Sequence, residues 1–460
     1  MTTAKGETFD THAAEPRRTH KTACIIGAGC SGFTTAKRLR DQGVSFDCFE
    51  MSDDVGGNWY FANPNGLSAC YQSLHIDTSK WRLAFEDYPV PAEWPDFPSH
   101  AQLHRYFRDY VDHFGLRDAI TFNTAVTSAE RLTGGGWGVT LSTGEMRDYD
   151  TLFVCNGHHW DPKIPDYPGR FDGPHFHAHD YRTPYDPVDL RGLNVVVVGM
   201  GNSAMDIASE LSQRHLAKTL FVSARRGVWV LPKMVAGKPL DKAGVPHWMP
   251  RKLGRALARR AVRKLVGRME DYGLPAPDHR PLEGHPSVSG EFLTRASCGD
   301  VRMKPAIAEL DGYNVRFADG SVEQVDAIIY ATGYRISFPF FTDPALKPDA
   351  DNRFPLFKRM VIPGIDDLFF MGLAQALPTL VNLAEQQAKL AAAAVAGDYV
   401  LPSVEEMRRI TAADEATELD GYYASTRHTI QVDFVRYVAG LKKEIARGEA
   451  RARMRARAAA

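Results

Sequence analysis

The chain has 460 residues, with 55 lysines and arginines against 56 aspartates and glutamates, a formal net charge of −1. Hydrophobic residues make up 44% and charged ones 24%, which excludes a disordered or collagen-like chain; the balanced charge gives no global reason to expect nucleic-acid binding. At roughly 150 residues per domain, the length fits about three folding units or two large ones, enough to bury cores without disulfides or structural metal.

Residues 1–20 are polar, carry Pro16, Arg17 and Arg18, and lack the apolar core of a signal peptide, so a flexible tail is expected. No run of about 18 apolar residues occurs, so no membrane span is expected. The longest candidate, Leu390–Gly397, reads as one face of a packed helix. The cysteines are Cys24, Cys30, Cys48, Cys70, Cys155 and Cys298, with no C-x-x-C pair. That removes the usual zinc spacing and a thioredoxin-like pair, so no metal is expected, and scattered single thiols point to a reducing cytoplasm.

The first expected strand is Thr22–Ile26, followed by a glycine-rich turn, a helix over Phe33–Gln42 and a strand over Val44–Phe49. This strand–turn–helix–strand order opens a parallel α/β unit. The turn, Gly27-Ala28-Gly29-Cys30-Ser31-Gly32, matches G-x-G-x-x-G in the context that motif requires, and Glu50 ends the next strand. Gly27 permits the tight turn, Gly29 lets the backbone approach a pyrophosphate, and Gly32 lets helix and strand pack closely. The helix N-terminus attracts the anion, and Glu50 suits two ribose hydroxyls. Gly56-Gly57-Asn58-Trp59, a second glycine pair beside an aromatic, favours FAD over NAD at this cradle.

The irregular, aromatic stretch from Gly56 to Pro98 is expected to cover a site. Helix His100–Phe114, strands near Ile120–Thr127 and Trp137–Leu141, and strand Thr151–Cys155 follow, then a Pro- and Gly-rich connection to Arg191. A second unit begins with strand Asn194–Val198, helix Ser203–Arg214 and strand Thr219–Ser223. Its turn, Gly199-Met200-Gly201-Asn202-Ser203-Ala204, has the tolerated alanine in third place. The next strand ends in Arg225 and Arg226 instead of an acid, and arginine pairs with a 2′-phosphate where an acid would repel it, so NADPH is preferred. Strand Asp326–Tyr330 and helices over Pro378–Ala396 and Asp433–Arg457 complete the pass.

The expected fold is therefore α/β, with two dinucleotide-binding Rossmann-like domains. The FAD domain (21–185 and 325–460, the latter with C-terminal helices) is interrupted by an NADPH domain (190–324). Two such sites imply electron transfer from NADPH to FAD. Without a C-x-x-C pair the most plausible final acceptor is oxygen.

Several further motifs occur in order. Phe171 to Tyr181 fits F-x-G-x-x-x-H-x-x-x-Y/F with His177 at its centre, and Tyr71 to Lys80, Asn156-Gly157-His158 and Ala331-Thr332-Gly333-Tyr334 accompany it. On these the chain resembles the flavin-containing monooxygenases over roughly residues 22–390. The resemblance implies an NADPH- and O2-dependent cycle through a C4a-(hydro)peroxyflavin that oxygenates nitrogen or sulfur in a small organic substrate, as in N,N-dimethylaniline monooxygenase activity. It also implies cofactor roles for Gly27, Gly29, Ser31, Gly32, Glu50, Gly57, Asn58 and Trp59 at the flavin, and for Gly199, Gly201, Asn202, Ser203, Arg225 and Arg226 at NADPH, with Thr332 among the cofactor-binding residues. Where the family usually carries asparagine, this chain has Asp77, the residue expected at the flavin's reactive face. Related Baeyer–Villiger enzymes use an aspartate near the flavin to attack ketones, although their linker usually ends in tryptophan where Tyr181 stands here. Ketone oxygenation and a non-oxygenating flavin sensor remain the alternatives. His177 reads as a residue that fixes the linker rather than an acid–base group. The expected partners are substrate and O2, with no nucleic acid, and a homodimer is the candidate assembly.

Residues 251–268 contain eight basic residues and no acid, with Leu253, Leu257, Ala261, Leu265 and Met269 at i+4. This amphipathic helix is expected to pack its apolar face on the body, with a membrane surface as the alternative. The alternating Arg/Ala tail from Lys442 to Arg457 reads as a frayed, solvated helix.

Overall fold

The computed structural model describes residues 22–242, 249–284, 286–377, 379–419 and 429–459. The expected N-terminal tail and Pro378 lie outside them. Two parallel five-stranded sheets form the frame. The first runs in the order Leu368–Phe370, Thr151–Val154, Thr22–Ile26, Ser45–Phe49, Ile120–Thr121. The second runs His175–His177, Ala327–Tyr330, Asn194–Val198, Thr219–Ser223, Arg302–Lys304. The near-continuous apolar runs of the central strands suit sheets covered on both faces.

The second sheet extends beyond the expected span of 190–324. Val195–Val198 is buried and needs a neighbour on each side; Thr219–Ser223 supplies one and Ala327–Tyr330 the other, with His175–His177 beyond it. The expected edges at 185 and 325 therefore cut off two strands that belong to this sheet.

Helix Cys30–Asp41 packs against helix Val381–Ala396, which is buried almost all round. Phe33, Phe85, Tyr106, Phe107 and Tyr110 build an aromatic cluster beneath the first cradle. Glu385, fully buried on helix Val381–Ala396, pairs with Arg38, and its other oxygen accepts the Glu86 N–H at 3.0 Å. The expected strand over Ile120–Thr127 divides in two. Asn123 takes a left-handed φ of 53°, so Ile120–Thr121 edges the first sheet while Val126–Arg131 joins an antiparallel sheet with Trp137–Leu141 and Met146–Tyr149.

Helix Val404–Leu419 is additional to the expected elements; Ser403, whose Oγ accepts the Glu406 N–H at 3.2 Å, opens a Ser-x-x-Glu start signal for it. The C-terminal helix, Phe434–Ala459, is docked through Arg451, while residues 453–459 are exposed as expected of a solvated end. Leu441, Glu444 and Gly448 lie on one buried face, Arg451 donates to the Val400 carbonyl at 2.8 Å and pairs with Glu444 at 2.5 Å, and Tyr399 donates to Glu444 at 3.1 Å. A Cβ at Gly448 would lie 1.9 Å from the Tyr399 ring. Gly448→Ala should therefore displace Tyr399 and destabilise the protein by about 1–3 kcal/mol. Urea unfolding that shows no loss would contradict this docking.

Candidate functional site

Both cradles share one construction. Helix Cys30–Asp41 starts after Gly29 and helix Asn202–Leu211 after Gly201, each glycine in extended backbone with no side-chain cap. Helix His100–His113, by contrast, carries a capping box from Ser99 and Gln102. An uncapped first turn leaves backbone N–H groups and the positive end of the helix dipole for an external anion. Gly27, at φ +97°, donates to the Phe49 carbonyl at 2.8 Å and faces the Cys155 carbonyl, which a Cβ would approach to 2.9 Å. Gly199, at φ +125°, repeats this with Ser223 and Ala331. A Cβ on Gly32 would lie 1.8 Å from the Gly27 carbonyl, so only glycine lets the helix sit this close.

A cavity of about 2050 Å³ opens over the first cradle and reaches the second. Ordinary ligand pockets run to roughly 300–1,000 Å³, so this one has room for more than one large ligand. Its wall brings together Gly27, Gly29, Ser31, Glu50, Gly57, Asn58, Trp59, Asp77 and Asn202. Gly32 packs beneath it. Gly199, Gly201, Ser203, Arg225, Arg226 and Thr332 are not on this wall. Thr332 donates its hydroxyl to the Lys163 carbonyl at 2.5 Å, and Arg226 pairs with Asp278 at 2.7 Å.

These residues fit a flavin dinucleotide. The Gly29 and Gly57 backbones face each other; a Cβ on Gly57 would come within 3.3 Å of the Gly29 Cα. Glu50 is buried, accepting N–H groups from Ala28 at 2.6 Å and Ser52 at 2.8 Å, and burial raises its pKa against those two bonds. A carboxylate has about four acceptor sites, so lone pairs remain for hydroxyls. The buried Asn156 Oδ1 on the same wall has no hydrogen-bond partner. The thiols of Cys30 and Cys155 also line the cavity.

Asp77 is held from the other unit. Its Oδ2 accepts from Asn202 Nδ2 at 2.7 Å and its Oδ1 lies 3.0 Å from Lys233 Nζ. Burial raises its pKa, opposed by Lys233 and Asn202. Lys233 has no spacing rule that would single it out in the sequence. Helix Asn202–Leu211 continues this grip at i+4 and i+8: Tyr71 donates to Asp206 at 2.6 Å, and Tyr181 and Ser73 donate to Glu210 at 2.7 and 2.9 Å. Polar residues at that spacing on a largely apolar helix were the available signal.

Burial disfavours the charged form of three histidines here. His177 accepts the His179 N–H on Nδ1 at 3.0 Å, and burial lowers its pKa to about 4. Burial likewise lowers His159 to about 4, and His158 further. A linker-fixing role for His177 agrees with this geometry.

Burial and the Asp77 charge push Asp206 up to about 7, against Lys233 and Tyr71. The folded protein thus keeps a proton that the unfolded chain releases near pH ~4, so this group's stabilising contribution is lost as pH rises from there through about 7. Asp206→Asn should flatten the fall in melting temperature over that window. An unchanged slope would argue against a protonated Asp206.

The FMO-like, flavin-binding monooxygenase-like family profile matches residues 20–451. Human (Homo sapiens) flavin-containing monooxygenase 5 is 36% identical over 442 residues, covering 91% of this chain and 81% of that protein. Rat (Rattus norvegicus) dimethylaniline monooxygenase (N-oxide-forming) 2 is 34% identical over 449 residues, covering 92% and 82%. The solved OTEMO complex with FAD and NADP shares the fold, with a TM-score of 0.71 at 20% identity over 93% of this chain and 98% of that one. Among the described residues, no helix is long and apolar enough to cross a membrane. A family match across almost the whole chain, together with relatives above 30% identity, places this protein in the flavin-binding monooxygenase-like family, as a flavin-dependent monooxygenase.

Proposed function

We propose that the protein uses NADPH and O2 to insert one oxygen atom into a nitrogen or sulfur centre of a small organic molecule. For a sulfide substrate, the sulfide, O2, NADPH and H⁺ give the sulfoxide, water and NADP⁺. One oxygen atom enters the substrate and the other leaves as water, with two electrons from NADPH. Bound FAD supplies the oxygen-activating chemistry. The observation that carries this reading is the shared cavity, on which the first cradle and Asn202 of the second form one wall.

The chain's own residues bind, orient and dry the site. The uncapped turns at Gly29 and Gly201 take the two pyrophosphates, and Glu50 takes ribose hydroxyls. Asn202 and Lys233 fix the Asp77 carboxylate on the cavity wall. Excluding water there strengthens every charge interaction. A second reading, insertion beside a ketone carbonyl, is favoured by one observation: Lys233 places a cation at ion-pair distance from Asp77, suited to negative charge on a reacting oxygen.

An amine, sulfide and ketone panel, scored by product and by NADPH and O2 consumed, tests both readings. Turnover of amine or sulfide supports the first, ketone turnover the second, and NADPH oxidation without any oxygenated product refutes both. Lys233→Met leaves the half-buried Asp77 without its cation and should lower coupling of NADPH oxidation to product, with more hydrogen peroxide released; unchanged coupling would remove Lys233 from the site. Arg225 is exposed and has no carboxylate partner among the described residues. Arg225→Ala should raise KM for NADPH by roughly 10–100-fold, the worth of a charged hydrogen bond, with little change for NADH. Equal effects on the two cofactors would refute the 2′-phosphate assignment.

A further inference from the structure

The basic helix Arg251–Val266 does not bury the stripe its sequence suggests. Leu253, Leu257 and Leu265 are 52, 47 and 38% exposed. The face one residue over, Gly254, Val262 and Val266, is the buried one. Arg259 pins the helix to Glu283 at 3.0 Å. Leu257, Ala258, Ala261 and Leu265 instead line the large cavity. Further lining comes from the first turns of the C-terminal helix, through Phe434, Val435 and Ala439, with Val435 54% exposed. The cavity that begins at Asp77 and the flavin cradle thus continues between apolar faces of two amphipathic helices, one from each unit.

Both helices also bring cations to this lining. Lys264 and Lys443 are exposed, line the cavity and have no carboxylate partner among the described residues. Arg436 also lines the cavity, offset by Asp433 at 3.7 Å. The acids of the inner wall are engaged: Glu50 with backbone N–H groups, Asp77 with Lys233, and Asp241 with the Ser79 N–H at 2.7 Å. An apolar passage with uncompensated positive charge on its helices complements a ligand of the opposite pattern.

We propose that the substrate is a free, single-chain amphiphile with an anionic head group, its head held by Lys264 and Lys443 and its apolar chain lying between the two helices. The chain's far end carries the sulfur that is oxygenated, so the proposal rests on the monooxygenase reading above. The stoichiometry is that already given, with this terminal sulfide converted to its sulfoxide.

The test uses the FAD-loaded full chain and three probes of equal length: 11-(methylthio)undecanoate, its methyl ester, and 11-(methylthio)undecyltrimethylammonium. A kcat/KM order of carboxylate over ester over ammonium is expected. Lys264→Glu with Lys443→Glu should lower the carboxylate-to-ammonium ratio roughly tenfold or more, and the corresponding Lys→Arg pair should retain it. An equal ratio in wild type, or one that the Glu variant leaves unmoved, overturns the proposal. Flotation of the protein with phosphatidylglycerol vesicles, without discrimination among the soluble probes, also overturns it in favour of a membrane surface. If wild type oxygenates no sulfide, thioanisole included, the monooxygenase reading fails. Equilibrium dialysis of the carboxylate and ammonium probes then still decides the head-group proposal.

Discussion

Two helices that begin without a side-chain cap set the terms for this fold. A helix N-terminus with unmade hydrogen bonds is costly unless water or an anion meets it. Here both such ends stand at the carboxyl edges of parallel sheets, beside glycines whose missing Cβ atoms let turn, strand and helix close up on one another. Gly27 and Gly199 then lock each turn to its neighbouring strands by the same pattern of bonds, so two units with different sequences present the same cradle.

The units are coupled through one helix face. Asn202, Asp206 and Glu210 reach across to Asp77, Tyr71, Ser73 and Tyr181. The second cradle's helix therefore does two jobs: its N-terminus offers an anion site, and its flank seats the segment that carries Asp77. A shift of one unit against the other would disturb both together. Lys233 adds a positive charge beside the half-buried carboxylate, since a charge taken out of water without a partner is unfavourable.

What the sequence made legible was local. The strands Thr22–Ile26, Asn194–Val198 and Thr219–Ser223 have the expected bounds, because a buried parallel strand is written within a few residues, and so does the antiparallel strand Trp137–Leu141. Glu50 was readable for the same reason. Long-range pairings were not: a lysine in an apolar run says nothing of an aspartate far upstream. The divided strand at Ile120 turns on the backbone of Asn123, and Ala327–Tyr330 joins the second sheet from beyond residue 324 because strand neighbours are chosen by tertiary packing. The Arg/Ala end of the C-terminal helix is solvated as it reads, but the turns before it dock because Gly448 makes room for Tyr399. The basic helix's stripe was legible as amphipathic but not as the wall of a cavity.

Hydrogen peroxide formed at the flavin site proposed above would meet Cys30 and Cys155 on the cavity wall. Peroxide attacks the thiolate, not the thiol. Burial pushes Cys30 up to about 11 and Cys155 higher still, so both remain protonated at physiological pH. The same low-polarity packing that keeps water from the reaction therefore keeps these sulfurs unreactive. The enzyme can line its oxidising chamber with cysteine and escape self-inflicted sulfenylation.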